Sequence, residues 1–219
     1  PPNPPGAAAD PDRDNAPVAP THVLLTRHGR STYNDRGILN GDPSVPVGLT
    51  AEGKAQCLAL AVHLAGQPID LAVHTPFPRT AESLELMLAG RVVPTAVMEE
   101  FGDVRLGEFE GRPVGEFRAW RRAHGLDARP AGGGESRMDV LRRYAGGYER
   151  LLSVDAGVVL AVVHDVTIRM MVNATAGDDP NDGSVKTIPN AELYRFTPDE
   201  LRRGLERMQA RAAQPADAR

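Results

Sequence analysis

The 219-residue chain reads as an α/β protein with a mostly parallel central sheet, flanked by helices on both faces. Three observations predict this. Strand-like and helix-like stretches alternate along most of the chain. The run from Gly157 to Val163 is almost wholly apolar, as a central strand buried on both faces must be. Arg27-His28, Arg79 and His164 each stand where a strand-like run has ended or the next helix begins, and open parallel sheets hold their ligands beyond the carboxyl ends of strands.

Residues 1–20 are rich in Pro, Ala and Asp and predict a disordered tail, leaving one domain over 21–198. Its first strand spans about 22–27 and runs into Arg27-His28-Gly29. Gly29 is expected to let the backbone turn where a side chain would crowd a ligand. Residues 30–49 read as a helical turn and then a Gly- and Pro-rich loop. Thr50 can cap a helix running to about Ala65, with Ala55, Leu58, Ala59 and Val62 on its apolar face and Cys57 as a small core residue. A second strand, about 70–74, precedes a helix from near Phe77 to about Ala89. Leu84, Met87 and Leu88 face its core, and Arg79 falls in its first turn. A third strand follows at 91–97.

Residues 98–135 differ in character. Gly102, Gly107, Gly111, Gly115 and Gly125, many charges and one short amphipathic piece predict a small excursion that covers the active site and contributes no core element. A helix from about Glu135 to Leu152 presents Leu141, Tyr144, Tyr148 and Leu151. The central strand at 157–163 ends at His164-Asp165, and Asp165 suits the cap of a helix over 166–176. The last strand lies at about 191–196. Residues 199–219 predict a charged surface helix fraying into a tail.

Composition narrows the function. A net charge of -4 argues against a nucleic-acid partner held by bulk electrostatics. The single cysteine cannot form an internal disulfide, which fits a reducing, cytoplasmic setting. No apolar run approaches the ~20 residues of a membrane span, and no secretory signal is visible. No metal-ligand spacing is present, so no metal or other cofactor is expected. Two arginines and two histidines at one sheet edge suit an anion. The arginines offer charge-assisted hydrogen bonds to phosphoryl oxygens, and the imidazoles offer a nucleophile and a donor.

These stretches resemble the histidine phosphatase superfamily, the phosphoglycerate-mutase-like fold, in its small bacterial phosphatase branch. Arg27-His28-Gly29 with Ser31 and Asn34 is similar to its opening motif, and Gly48 to Gln56 to its Leu-Thr stretch. Thr75 to Ala81 resembles the segment holding the second arginine. Gly107 to Gly111 resembles a Gly-x-Trp-Glu-Gly box, Gly133 to Ser136 a Gly-Glu-Ser helix start, and Val163-His164 the second histidine.

The resemblance implies a metal-independent phosphomonoesterase acting on a small phosphorylated metabolite. His28 would form a transient phosphohistidine. Arg27, Arg79 and His164 would bind phosphoryl oxygens, with Asn34 as a further contact. The proton donor would be Asp103, with Glu100 and Asp165 as alternatives, since a related branch uses a His-Asp pair. A phosphoglycerate mutase and a non-catalytic phospholigand-binding or regulatory module are the rival expectations. Oligomeric state is open.

Overall fold

The computed structural model describes residues 19–215. The expected tail over 1–20 therefore lies almost wholly outside the described residues. Five strands, β1 (His22–Arg27), β2 (Leu71–His74), β3 (Thr95–Val97), β4 (Val158–Val163) and β5 (Leu193–Phe196), form one sheet in the order β3-β2-β4-β1-β5. All neighbours are parallel except β1 and β5.

Side-chain alternation divides the interior into two cores. Val23, Leu25, Val159, Ala161 and Val163 face one, and Leu24, Leu160 and Val162 face the other. This two-sided burial is why β1 and β4 read as unbroken apolar runs. Helices α2 (Ala51–Leu64) and α3 (Pro78–Leu88) cover the smaller core. Helices α5 (Arg137–Leu152), α6 (Asp165–Ala176) and α7 (Pro198–Ala213) cover the larger one. Short helix α1 (Thr32–Arg36) follows β1, and α4 (Val114–Ala123) lies in the former excursion.

Four expectations are corrected. Residues 98–135 do build core: Met98, Phe101, Val104, Leu106, Phe109 and Phe117 are all buried with α5 and α6. Their apolar residues are spaced for two 3-10 turns, Glu99–Phe101 and Gly107–Phe109, which helix and strand periodicities both miss. The C-terminal helix is no surface appendage. Leu201, Leu205 and Met208 recur along one face of α7 and pack into the larger core. Each such burial is worth roughly 1.5–3 kcal/mol, so the domain extends beyond 198 to include α7.

The third correction concerns α2. Leu58 and Val62 are exposed, at 50% and 75%, and Ala55 and Ala59 with them. Cys57, Leu60, Ala61 and Leu64 face inward instead. The helix is apolar on both stripes, so periodicity could not choose between them. The fourth concerns Gly29. A Cβ there would collide with the Gly53 carbonyl and stand 2.7 Å from Cys57 Sγ. The glycine admits the first turns of α2 against the end of β1, and does not make room for a ligand.

The sheet register assembles the functional edge. Arg27 pairs with Val163, so His28 and His164 leave adjacent central strands side by side. His74 pairs with Val162, which sets the start of α3 next to them. Residues separated by more than fifty positions in sequence thus converge at one edge of the sheet.

Candidate active site

His28 is 2% exposed, Arg79 3% and His164 0%. The imidazole rings of His28 and His164 meet edge to face with centroids 5.4 Å apart. His28 Nδ1 lies 2.8 Å from the Gly29 carbonyl. A carbonyl can only accept, so the ring hydrogen is on Nδ1 and the lone pair on Nε2. Arg79 Nε donates to that Nε2 at 3.1 Å. Asn190 donates from Nδ2 to the His28 carbonyl at 2.8 Å, fixing the backbone of the same residue.

Arg79 is the hub. Pro78 opens α3 and Phe77 precedes it, so Arg79 falls in the first turn. Its guanidinium reaches Asp103 Oδ2 at 2.9 Å, the Asn40 carbonyl at 3.2 Å and Asn40 Oδ1. The Phe77 ring stacks 4.4 Å from its central carbon. Asn40 is itself held by Glu110, which accepts from Asn40 Nδ2 at 3.1 Å and from the Gly41 amide at 2.7 Å.

Asp103 comes from the loop between the two 3-10 turns. Arg143 on α5 fastens that loop by donating to the carbonyls of Glu100 and Gly102 at 2.8 Å and of Asp103 at 3.2 Å. Glu135 grips the same guanidinium through two 2.7 Å bonds. Asp103 Oδ2 is thereby held 3.3 Å from His164 Nδ1.

Arg27 donates to the Ile188 carbonyl at 2.6 Å, while its Nε is buried without a hydrogen-bond partner among the described residues. Asn34 forms a capping box with Ser31: its Oδ1 accepts the Ser31 amide at 3.1 Å. No described residue accepts from its Nδ2.

The alternative donors have other partners. Glu100 is paired with Arg150 at 2.9 Å and 3.1 Å, away from the imidazoles. Asp165 is the first residue of α6, and His164 holds the N-cap position expected of Asp165. Its carboxylate accepts from the Ile188 amide at 2.7 Å, Thr187 Oγ1 at 3.2 Å and Arg169 Nε at 3.2 Å. It also lies 3.8 Å from Arg27 Nη1, at the edge of the site, and anchors the loop whose Ile188 carbonyl supports Arg27.

Electrostatics follow from burial. Desolvation first, then the charges of Arg79, His164 and Arg27, hold His28 well below its ordinary value of 6.5. Desolvation, then Arg79, Arg27 and Arg143, do the same to His164. Both imidazoles are neutral beside two permanent cations. The site can therefore accept a doubly charged anion, present an unprotonated imidazole nitrogen to it, and offer a carboxyl group at the margin. Cys57 is buried, and desolvation raises its thiol, as befits a core residue.

The sequence reading missed Asn40, Thr75, Ser83, Glu110 and Asn190. Ser83 accepts the Gly29 amide at 3.0 Å and donates to the Arg79 carbonyl at 2.6 Å. Glu110 lay within a quoted motif, and Ser83 stands one turn after Arg79 on the same helix face. Asn40 and Asn190 sit in loops, where no periodicity marks a residue as buried.

The model of the histidine phosphatase superfamily (branch 1) matches residues 23–211. An adenosylcobalamin/α-ribazole phosphatase of Salmonella typhimurium is 31% identical over 90 residues, 41% of this chain and 44% of that protein. The chain thus matches less than half the length of that relative. An uncharacterized phosphatase of Bacillus subtilis is 24% identical over 77% of this chain and 84% of its own. Among solved structures, the α-ribazole phosphatase of Shigella flexneri superposes with a TM-score of 0.70 at 20% identity, covering 80% of this chain and 89% of that one. A mycobacterial glucosyl-3-phosphoglycerate phosphatase complexed with VO3 gives 0.66 at 21% identity, over 81% and 92%. These two likenesses concern the fold. The match of the family model over nearly the whole described chain settles the kinship: this protein belongs to the histidine phosphatase superfamily.

Proposed function

We propose that the protein is a metal-independent phosphomonoesterase acting on a small phosphorylated metabolite, through a phosphohistidine on His28. One observation carries the reading. The His28 ring is oriented by the Gly29 carbonyl so that its unprotonated Nε2 faces the Arg79 guanidinium, beside His164 and Asp103. The phosphatase relatives are consistent with it.

A phosphate monoester brings its oxygens to Arg27, Arg79 and Asn34 Nδ2. The arginines neutralise charge that spreads over the phosphoryl oxygens as the bond to the leaving oxygen lengthens. His28 Nε2 attacks phosphorus, a P–N bond forms and the P–O bond to the alcohol breaks. Asp103, whose carboxylate the incoming phosphoryl oxygens displace from Arg79, acts in its acid form and gives its proton to the departing oxygen. Water then attacks the phosphohistidine and passes a proton to Asp103, and the P–N bond breaks to release phosphate. The covalent step divides one difficult displacement into two easier ones.

The test is hydrolysis of an aryl phosphate in the presence of a chelator. Wild-type turnover with none in His28→Ala supports the reading, and equal rates in the two proteins contradict it. A screen of phosphorylated metabolites ranked by kcat/KM then names the substrate.

A further inference from the structure

Two fully buried threonines join the site's His164, also fully buried, in one hydrogen-bonded chain. Thr75 follows β2, Thr80 lies in the first turn of α3, and His164 follows β4; each is 0% exposed. His164 Nε2 is 2.9 Å from Thr75 Oγ1, and Thr75 Oγ1 is 2.9 Å from Thr80 Oγ1. Thr80 Oγ1 ends the chain 2.8 Å from the Phe77 carbonyl and 3.0 Å from the Thr75 carbonyl.

The chain can run in only one direction. Each hydroxyl owns one hydrogen, and a carbonyl owns none. Two carbonyl oxygens within 3.0 Å require the Thr80 hydroxyl to donate toward them. Thr80 Oγ1 must then accept from Thr75 Oγ1. With its hydrogen spent on Thr80, Thr75 can only accept from the imidazole. The hydrogen of neutral His164 is therefore on Nε2, and the lone pair is on Nδ1. The other side of the ring does not choose between tautomers, because Arg79 Nη2, which can only donate, and Asp103 Oδ2, which can accept, each lie 3.3 Å from Nδ1; the threonine chain decides.

We infer that Thr75 and Thr80 are positioning residues that hold His164 in its Nε2–H tautomer, so that Nδ1 is the atom that takes up a proton when a phosphoryl group binds. This builds on the proposed phosphatase reaction. A phosphate monoester bound as the monoanion, whose second ionisation lies near 6, passes its proton to Nδ1. The N–H bond forms as the ester O–H bond breaks, leaving a dianion and an imidazolium that donates to it. The opposite tautomer would turn a hydrogen toward Asp103 and Arg79 and have no lone pair there to receive the proton. Burial and the nearby cations keep His164 neutral until such an anion arrives.

Nitrogen NMR of the full chain carrying ¹⁵N-labelled histidine tests this directly, with His164 assigned by its absence in His164→Gln. The expected wild-type spectrum shows His164 with a protonated Nε2 and an unprotonated Nδ1, and Thr75→Ser keeps that pattern. In Thr75→Val the hydroxyl acceptor is gone and the single-tautomer signature is lost. There, kcat falls roughly 10- to 100-fold, by analogy with the loss of a partner that orients a metal-bound histidine, and Thr75→Ser restores it to within about twofold. An Nδ1–H tautomer in the wild-type protein overturns the inference, as does an unchanged tautomer in Thr75→Val. The wild-type and Thr75→Ser spectra remain decisive if Thr75→Val fails to fold. The spectrum needs no turnover, so the expected tautomer in a protein without phosphatase activity rejects the proposed reaction and leaves the tautomer assignment standing.

Discussion

Asp103 Oδ2 lies 2.9 Å from Arg79 Nη2, an ion pair between a half-buried carboxylate and a buried guanidinium. The pair joins the loop at 98–135 to the first turn of α3 and sets a carboxyl group at the edge of the phosphoryl site. An alkoxide is a poor leaving group unless protonated as it departs, whereas an acidic phenol leaves unaided. Asp103→Asn is therefore expected to slow alkyl phosphates by ~10²–10⁴-fold, the typical worth of general acid catalysis, and to spare aryl phosphates of acidic phenols. Asp165→Asn should instead give a smaller loss that is equal for both classes, because Asp165 secures the Ile188 segment and Arg169. Steady-state kinetics on the two substrate series decides between them. A selective loss in Asp165→Asn would make that residue the acid.

The Arg79 side chain meets His28, Asn40 and Asp103 from three nitrogens. A lysine keeps the charge but cannot span that fork. Arg79→Lys is expected to lose kcat/KM by at least a hundredfold, in line with the loss of one preorganised donor to a transition-state oxyanion. Its melting temperature should move far less. Native kinetics in this variant would remove Arg79 from the reaction.

How far the sequence spoke can be judged from the same neighbourhood. Arg27, His28, Arg79 and His164 were legible because each follows an apolar run or opens a periodic helix, and strand ends share an edge in a parallel sheet. Tyr144 and Tyr148 were legible as core from their spacing on α5. Asn40 and Asn190 were not, since loop residues carry no period. The inward face of α2 was misread because Ala, Leu and Val occupy both of its stripes. Gly29 was given the wrong neighbour: its need for glycine arises from Gly53 and Cys57, 24 and 28 positions later, and no local pattern records that packing.

Gly29→Ala follows from that contact. The added methyl meets a backbone carbonyl that cannot rotate away, and overpacking of this kind costs typically 1–3 kcal/mol. Urea unfolding should show the loss, and shortening the other neighbour with Cys57→Ala should recover only part of it. Full recovery would mean that the sulfur, and not the Gly53 carbonyl, is the obstacle.

Acid should destabilise the protein through its two buried imidazoles. Both are held well below the ordinary histidine value of 6.5 in the folded chain, chiefly by desolvation and then by neighbouring charges. The unfolded chain then binds more protons as pH falls, and stability rises with pH. The contribution is complete above about 6.5, the unfolded value, and is lost progressively as pH drops toward the folded ones. Urea midpoints should decline between pH 7 and pH 5, and less steeply in His164→Gln than in the wild type. Equal slopes in the two proteins would show that His164 is not held neutral by the fold.

The phosphohistidine itself is the most direct object of measurement. Rapid-quench mixing with a ³²P-labelled monoester should trap a phosphoenzyme that is labile in acid and stable in base, with the label on the peptide containing His28. The label should form at least as fast as steady-state turnover and be absent from His28→Ala. Turnover without any trapped phosphoenzyme, or label carried undiminished by His28→Ala, would contradict covalent catalysis at this residue.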